Sequence, residues 1–115
     1  MNVEFQRSFE SVKPGETPPF ILIDVREQSE RDYCDLPEKN LLGVKVPRMN
    51  IPLNDLLQGF YPEQIPKDKH IICFCAAGLR SGRASHFLKR NGFHAKSLVG
   101  GIEGLEDLIN MKIGF

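Results

Sequence analysis

The sequence predicts an α/β fold in which a small, mainly parallel β-sheet packs against helices. Two continuous apolar runs, Phe20–Ile23 and Ile71–Phe74, are typical of parallel strands that are covered on both faces. Stretches with helical spacing of apolar residues separate and follow these runs, and this alternation favours an α/β sandwich. The 115 residues provide for one core and are too few for two ordinary domains, so we expect one domain over residues 1–115.

The N-terminal segment is expected to form a short edge strand and then a loop. Residues Met1 to Phe9 alternate in part between apolar and polar side chains, which permits a strand. Residues 12–19 contain Pro14-Gly15 and Pro18-Pro19, which mark a turn and an extended connector. The first apolar strand follows directly.

Two short helices are predicted before the second apolar strand. Glu27 to Tyr33 is expected to be helical, and so is Asn54 to Phe60, where apolar residues recur at helical spacing. Pro66 to Lys69 is a polar turn that leads into the strand at Ile71.

The C-terminal third continues the alternation. Ser81 to Asn91 is predicted to be a helix that stops at Asn91-Gly92, with basic residues in its last turn. His94 to Val99 is the expected last strand, and Gly100-Gly101 allows a tight turn. Ile102 to Ile109 is the expected closing helix.

A cysteine stands where the second apolar strand ends. Cys75 is followed by the small residues Ala76-Ala77-Gly78, then by Arg80 and the predicted helix. Small residues let the backbone curl so that several N–H groups converge on one point, and the helix N-terminus adds partial positive charge there. A thiol in that position loses its proton more easily, and its thiolate is nucleophilic. The loop is therefore expected to hold an anion against a reactive sulfur.

The loop Cys75-Ala76-Ala77-Gly78-Leu79-Arg80-Ser81 resembles the C-x-x-G-x-R-S/T loop of the rhodanese (sulfurtransferase) family. The resemblance extends from about Ile21 to Leu108, and Asp24-Val25-Arg26-Glu27 and Asn50-Ile51-Pro52-Leu53 match further family segments. It implies a three-layer sandwich of about five strands, with helices on both faces. Cys34 to Asn50 is the stretch that conforms least to the family pattern, because the usual His is absent and the turn is altered in length.

The resemblance also implies a chemistry. Cys75 would attack the sulfane sulfur of a small anionic donor (thiosulfate, polysulfide or a persulfide), become a persulfide, and pass the sulfur to cyanide, a thiol or a protein cysteine. No metal or organic cofactor is required, and no cofactor motif is visible. The candidate site consists of the nucleophile Cys75, the substrate-binding residues Ala76, Ala77, Gly78, Leu79 and Arg80, and the supporting residues Asp24, Arg26 and Ser81.

Other functions remain as alternatives. A cysteine phosphatase or an arsenate reductase also pairs Cys with Arg around an anion loop, but such phosphatases place five residues between them, and here four intervene, Ala76 to Leu79. A sulfur-relay or protein-binding module would use the same residues with a protein as its acceptor.

Several residues have two interpretations. Asp24 and Arg26 either support the catalytic loop or form an ion pair that fixes the strand end, and the ion pair is favoured. Cys73 is either a thiol that resolves the Cys75 persulfide or a core residue, and the core is favoured because an i, i+2 disulfide has unfavourable geometry. Cys34 is expected to be a free thiol, and His86 a surface residue.

Composition limits the partners and the compartment. A net charge of zero gives no electrostatic reason to expect nucleic acid or an anionic membrane as partner. No apolar run would span a bilayer, and residues 1–16 lack the apolar core of a signal peptide. Three cysteines fit a reducing compartment, so a cytoplasmic location is expected. No oligomeric state is predicted.

Overall fold

The structure is a computed structural model that describes residues 3–33, 35–36, 38–59 and 65–105. In this part of the chain four parallel strands form one sheet in the order β2-β1-β3-β4. The strands are β1 (Phe20–Asp24), β2 (Arg48–Asn50), β3 (His70–Phe74) and β4 (His94–Ser97). The helices are α1 (Val3–Glu10), α2 (Gln28–Tyr33), α3 (Leu53–Leu57), α4 (Leu79–Arg90) and a final 3₁₀ helix (Ile102–Leu105).

Helices cover both faces of the sheet, as predicted. Side chains alternate along a strand, so Leu22 of β1 joins one apolar cluster and Ile23 joins the other. The first cluster contains Phe9 of α1, and the second contains Leu56 of α3 and Leu88 of α4. Burying a side chain of this size stabilises the fold by about 1.5–3 kcal/mol. The two apolar clusters thus pack against opposite faces of β1 and β3.

The N-terminal segment forms a helix, so the prediction of an edge strand was wrong. Phe5 and Phe9 are four residues apart, which places them on the same side of α1, and their rings stack with centroids 5.8 Å apart. Both rings and Val12 are buried in the first cluster. The helical spacing of these apolar residues outweighs the partial alternation around them.

The turn that departs from the family pattern is organised by a buried amide. The Asn40 side chain accepts hydrogen bonds from the N–H groups of Leu42 and Val44, both at 3.0 Å. Its Nδ2 donates to the carbonyls of Phe9 and Val12 at 3.2 and 2.7 Å. This turn is thereby tied to the end of α1.

Other elements differ from expectation in their bounds. About five strands were predicted, and the described residues contain four. The strand β4 ends at Ser97 instead of Val99, because Gly101 N–H bonds to Leu98 O in a tight turn. The predicted closing helix begins as a 3₁₀ helix, and its residues 106–109 lie outside the described residues, as does Phe60 of the helix predicted over Asn54 to Phe60. None of the described helices is long and apolar enough to cross a membrane.

Parallel strands bring their carboxyl ends to one edge of the sheet. Asp24 aligns with Phe74 in the β1–β3 register, and Asn50 aligns with Asp24 in the β1–β2 register. Cys75 directly follows β3 at this edge, where sites of open α/β sheets are usually formed.

Candidate active site

The Cys75 sulfur lies at the centre of the loop between β3 and α4. The N–H groups of Gly78 and Ser81 donate to Cys75 Sγ at 3.1 and 3.4 Å, and a further hydrogen bond joins Sγ to Ser81 Oγ at 3.4 Å. Ser81 Oγ also shares a hydrogen bond of 2.6 Å with Ser97 Oγ. The first turn of α4 and the end of β4 thus fix the position of the sulfur.

These hydrogen bonds decide the protonation of Cys75. Burial alone would raise the pKa of this thiol, since only 1% of the residue is exposed. The hydroxyl of Ser81 and the backbone N–H groups of Ser81, Gly78 and Arg80 stabilise the thiolate and lower the Cys75 pKa below its ordinary value. The sulfur is therefore prepared as a nucleophile.

The same loop keeps further donors open. The N–H groups of Ala76, Ala77 and Leu79 have no hydrogen-bond partner among the residues that the structure describes. Gly78 has a φ of +106°, in the left-handed region that favours glycine, and this conformation turns the loop back onto the sulfur. The donors of the loop can therefore bind negative charge that extends outward from Sγ.

The back of the loop is held by the segment after β4. The N–H groups of Ile102 and Glu103 donate to the carbonyls of Cys75 and Ala76 at 2.9 and 3.0 Å. Gly101, with a φ of +63°, lies so close that a Cβ there would be 2.4 Å from both carbonyl oxygens. No side chain fits at position 101, so glycine is what permits this contact.

The guanidinium of Arg80 is engaged by a carboxylate. Its Nη1 and Nη2 donate to Glu30 Oε2 and Oε1 at 2.7 and 2.5 Å, across 50 positions of the sequence. Hydrogen bonds from Arg80 lower the Glu30 pKa to about 2. The same pairing raises the pKa of Arg80, so both groups are charged at neutral pH. The fork of Arg80 thus faces α2, whereas its backbone N–H faces Cys75.

Sequence reasoning assigned no role to Glu30. Glu30 Oε2 accepts the N–H of Glu27 at 2.9 Å, the reciprocal contact of a capping box. The sequence does signal this contact, because Glu30 lies three residues after Glu27, the residue that precedes α2. The pairing with Arg80 depends on tertiary structure and has no local signal.

Asp24 and Arg26 lie in a buried ion pair at the end of β1. Arg26 Nε and Nη2 donate to the two Asp24 oxygens at 3.0 and 2.9 Å, and Nη2 also reaches Asp35 Oδ1 at 2.9 Å. Arg48 Nη1 joins Asp35 at 3.1 Å. The side chain of Asn50 donates to the carbonyls of Asp24 and Arg26. We name Asp24, Arg26, Asp35, Arg48 and Asn50 the charged network.

Glu30 and Phe74 connect the charged network to the loop of Cys75. Arg26 Nη1 donates to the carbonyl of Glu30 at 3.4 Å, and Glu30 in turn holds Arg80. The Arg26 guanidinium also lies 5.8 Å from the centre of the Phe74 ring, one residue before Cys75. This arrangement fits the interpretation of Asp24 and Arg26 as a pair that fixes the strand end.

The second cysteine of β3 has the opposite electrostatic environment. Cys73 is fully buried, and burial together with the negative charge of Cys75 raises its pKa to about 12. Both Cys73 and Cys75 are free thiols. Cys34 lies outside the described residues, so its predicted free thiol stays a prediction. His86 is exposed on α4, as expected.

The described residues contain no group of three His, Cys, Asp or Glu side chains that would hold a metal ion.

Comparison with protein families gives a match over most of the chain. The family model described as "Rhodanese-like domain" matches residues 9–108. These residues include all of the described strands and the loop of Cys75.

The chain is similar to curated proteins of two bacteria. An uncharacterized protein of Bacillus subtilis, YqhL, is 38% identical over 71 residues, which are 62% of this chain and 48% of that protein. The chain thus spans about half the length of that relative. A protein of Allochromatium vinosum named "Sulfurtransferase" is 27% identical over 93 residues, which are 80% of this chain and 77% of that protein.

The similar solved structures include a rhodanese-related protein from Thermoplasma volcanium. It is 25% identical, with a TM-score of 0.59, and the similarity covers 84% of this chain and 81% of that one. Its similarity agrees with the small parallel sheet and flanking helices of the present chain.

Proposed function

The chain belongs to the rhodanese-like domain family, and from that premise we propose that it is a sulfurtransferase that carries sulfane sulfur on Cys75. One observation supports this most. The N–H groups of Gly78 and Ser81 converge on Cys75 Sγ at the N-terminus of α4, and they contribute to lowering the pKa of the thiol. The name of the Allochromatium vinosum relative agrees with sulfur transfer.

In the first step the Cys75 thiolate attacks the outer sulfur of the donor. With thiosulfate, a new S–S bond forms on Cys75 while the S–S bond of thiosulfate breaks, and sulfite leaves with that electron pair. The product is a Cys75 persulfide anion, and the total charge is conserved. The transfer is a nucleophilic displacement that needs no external oxidant or reductant.

In the second step an acceptor removes the sulfur. Cyanide or a thiolate attacks the outer sulfur of the persulfide, the S–S bond to Cys75 breaks, and the Cys75 thiolate is regenerated. The acceptor leaves as thiocyanate or as a persulfide. The step is easier because the leaving group is a thiolate that the loop already stabilises.

The loop is suited to the intermediate as well as to the nucleophile. A persulfide places its negative charge one sulfur farther from the backbone, where the open N–H groups of Ala76, Ala77 and Leu79 are available as donors. Preorganised donors of this kind need not reorient during the reaction. Arg80, paired with Glu30, contributes its backbone N–H at the thiolate and a partly balanced charge at the rim.

The proposal extends to donor, acceptor and compartment. Thiosulfate, polysulfide and persulfide all offer an anionic sulfane sulfur that such a loop would bind. Cyanide, a small thiol or a protein cysteine would accept it, and a sulfur relay to a protein differs from the enzyme only in that acceptor. A cytoplasmic location is part of the proposal, since free thiols persist in a reducing compartment.

The phosphatase alternative receives no support from the position of Arg80. A phosphatase loop needs a guanidinium that binds the phosphate oxygens, and here Glu30 occupies both ends of the guanidinium fork. No carboxylic acid lies in the loop to protonate a leaving group.

Intact-protein mass spectrometry after brief exposure to thiosulfate or polysulfide tests the proposal. We expect the protein to gain one sulfur that cyanide removes, and Cys75→Ser to gain none. Cys73→Ser is the matched control, because this neighbouring thiol is buried with a raised pKa, and it should load like the unmodified protein. Absence of the gain with both donors, or an equal gain in Cys75→Ser, would refute the proposal.

A further inference from the structure

A groove begins beside the catalytic loop and runs along the outer side of α4. Its volume is about 720 Å³, within the size range of ligand sites. It starts at Leu79, which belongs to the loop of Cys75, and extends past Gly82, Arg83 and His86 to Arg90. The 12 residues of α4 span about 17 Å at a rise of 1.5 Å per residue. We name this surface the α4 groove; it is far longer than thiosulfate or cyanide needs.

A glycine lies on the helix where the fold does not need one. Gly82 is inside α4 and has no positive φ, and a Cβ built there would meet nothing within 4 Å. Glycine inside a helix makes the helix less stable than alanine does, and no packing contact requires a glycine at position 82. Where a helix surface lacks a side chain, the backbone of another polypeptide can approach it closely. Gly82 lines the α4 groove one turn from Leu79, where such an approach would lead to Cys75.

The charged side chains that line the described part of the α4 groove are basic. Arg83 and Arg90 are exposed, and neither forms an ion pair with any of the residues that the structure describes. His86, also exposed, adds a further hydrogen-bonding side chain between them. No acidic side chain lines the groove within the described part of the chain. A chain with a net charge of zero thus presents two arginines, without ion pairs to the described residues, along a groove that starts at the loop of its nucleophile.

Leu79, at one end of the groove, and Val99, in the neighbouring loop outside the groove, are exposed apolar residues. Leu79 is 84% exposed and Val99 is 75% exposed, the two highest values among the exposed large apolar residues that are described. The two loops that carry them are in contact, because Gly78 packs against the backbone of Gly100. Exposed apolar residues beside a reactive group mark a contact surface rather than a core.

We propose that the α4 groove binds an acidic polypeptide segment that carries the acceptor cysteine, so that the physiological acceptor of the sulfur is a protein. This inference rests on the proposed function and adds the chemistry of the partner. The acidic side chains would pair with Arg83 and Arg90, the partner backbone would pass over Gly82, and its cysteine would reach the loop of Cys75 at the Leu79 end of the groove. The acceptor thiolate then takes the outer sulfur, and the Cys75 thiolate leaves with the electron pair of the broken S–S bond.

The first test measures binding without sulfur chemistry. The probe is a fluorescent eight-residue peptide with four Asp or Glu residues and one Ser in place of the acceptor Cys, and its control is the same peptide with Asn and Gln. On Cys75→Ser protein we expect the acidic peptide to bind at least tenfold more tightly than its control. Arg83→Gln/Arg90→Gln and Gly82→Leu should each reduce that binding at least fivefold. Lys89→Gln, a charge change on the same helix outside the groove, should not.

The second test measures transfer. Protein loaded with one sulfur is mixed with the cysteine form of each peptide, and mass spectrometry follows the loss of sulfur from Cys75. The acidic peptide should remove sulfur at least tenfold faster than the amide peptide. Gly82→Leu should abolish that preference, while removal by cyanide changes less than twofold. Added salt should reduce the preference, because it screens the pairing of exposed charges.

The outcomes separate the two proposals. Failure of thiosulfate and polysulfide to load Cys75 refutes the sulfurtransferase, and the binding test still decides the α4 groove. Loading without any preference between the peptides refutes the groove and leaves the sulfurtransferase intact. A preference that survives both Arg83→Gln/Arg90→Gln and Gly82→Leu also refutes the groove, because the acidic peptide would then bind elsewhere.

Discussion

Strands β1 and β3 lie side by side and end level with each other, with Asp24 opposite Phe74, yet the polar groups beyond them are used in opposite ways. After β1, the charges of Asp24 and Arg26 are buried and bonded to each other, and Arg26 also donates to Asp35. After β3, two N–H groups meet on one sulfur and others stay open. The end of β1 thus contributes rigidity, whereas the end of β3 keeps N–H donors that can bind the negative charge of a sulfur donor or a persulfide.

This difference predicts that changes after β1 act on stability and that changes after β3 act on chemistry.

The largest effect is expected from Arg26→Met, which leaves the buried carboxylate of Asp24 without its partner. Removing one member of a buried ion pair costs about 3–5 kcal/mol, and urea denaturation should show a loss of this size in the free energy of unfolding. Arg83→Met is the control, because this exposed arginine should change the free energy by less than about 0.5 kcal/mol. A loss below about 1 kcal/mol for Arg26→Met would remove the contrast between the two ends.

Gly101→Ala should disturb the catalytic loop from behind. The new Cβ would lie 2.4 Å from the carbonyl oxygens of Cys75 and Ala76 at a φ of +63°. We expect a loss of about 1–3 kcal/mol from the backbone conformation and a loss of roughly 100-fold in the rate of sulfur loading, since small displacements of a reacting group are costly. Stopped-flow loading assays and urea denaturation measure the two effects.

Gly15→Ala isolates the clash from the backbone conformation. Gly15 also has a positive φ, of +82°, but a Cβ there would meet nothing within 4 Å. This variant should lose stability without losing the rate of loading. Equal loading rates in Gly15→Ala and Gly101→Ala would show that the contact behind the loop is unimportant.

Ser81→Ala should raise the pKa of Cys75, because it removes the hydroxyl that stabilises the thiolate. A lowered thiol pKa keeps the thiolate populated at lower pH, and its stabilising effect is lost as the pH falls through the folded-state pKa. The rate of alkylation by iodoacetamide should therefore shift to higher pH in the variant, with a stability cost of about 1 kcal/mol for the lost hydrogen bonds. An unshifted profile would show that the hydroxyl does not act on the sulfur.

Ser85→Ala provides the matched control for this shift. Its hydroxyl lies on the same helix and bonds to the carbonyl of Gly82 at 3.0 Å, away from Cys75. The profile of this variant should coincide with that of the unmodified protein.

The smallest effect is expected from Glu30→Gln, which releases the guanidinium of Arg80. The ion pair is partly exposed, so its loss should cost less than about 1 kcal/mol of stability. Removing the negative charge should increase the reactivity of Cys75 toward iodoacetate relative to iodoacetamide by roughly twofold, as expected for a weakly screened charge near the rim. Glu27→Gln, whose carboxylate does not pair with Arg80, should leave the ratio unchanged, and an equal change in both variants would exclude a role of the pair.

The sequence predicted the parts of the molecule that depend on neighbouring residues. The apolar runs indicated β1 and β3, the small residues after Cys75 indicated a tight loop, and the spacing from Ser81 onward indicated α4, which begins at Leu79. The edge strand at residues 1–9 was wrong because the same residues also satisfy helical spacing, and only burial of Phe5 and Phe9 decides between them.

The rest depends on contacts between distant residues. Glu30 is 50 positions from Arg80, and Ser97 is 16 positions from Ser81, so neither contact can be predicted from a local sequence pattern. The glycine pair after β4 indicated a turn, but not that Gly101 would press against the carbonyls of Cys75 and Ala76. The loop sequence therefore predicts which residue reacts, whereas its tuning comes from residues supplied by other elements.

The hydrogen bonds behind the loop have a consequence for protein design. The carbonyls of Cys75 and Ala76 are bound by the N–H groups of Ile102 and Glu103, so the seven residues from Cys75 to Ser81 are not a portable unit. A graft of these residues into another parallel α/β scaffold should leave their back unsupported and their thiol poorly activated. A successful graft would have to include residues 97–103. The hydroxyl of Ser97, the backbone of Gly101 and the N–H groups of Ile102 and Glu103 support the loop from behind.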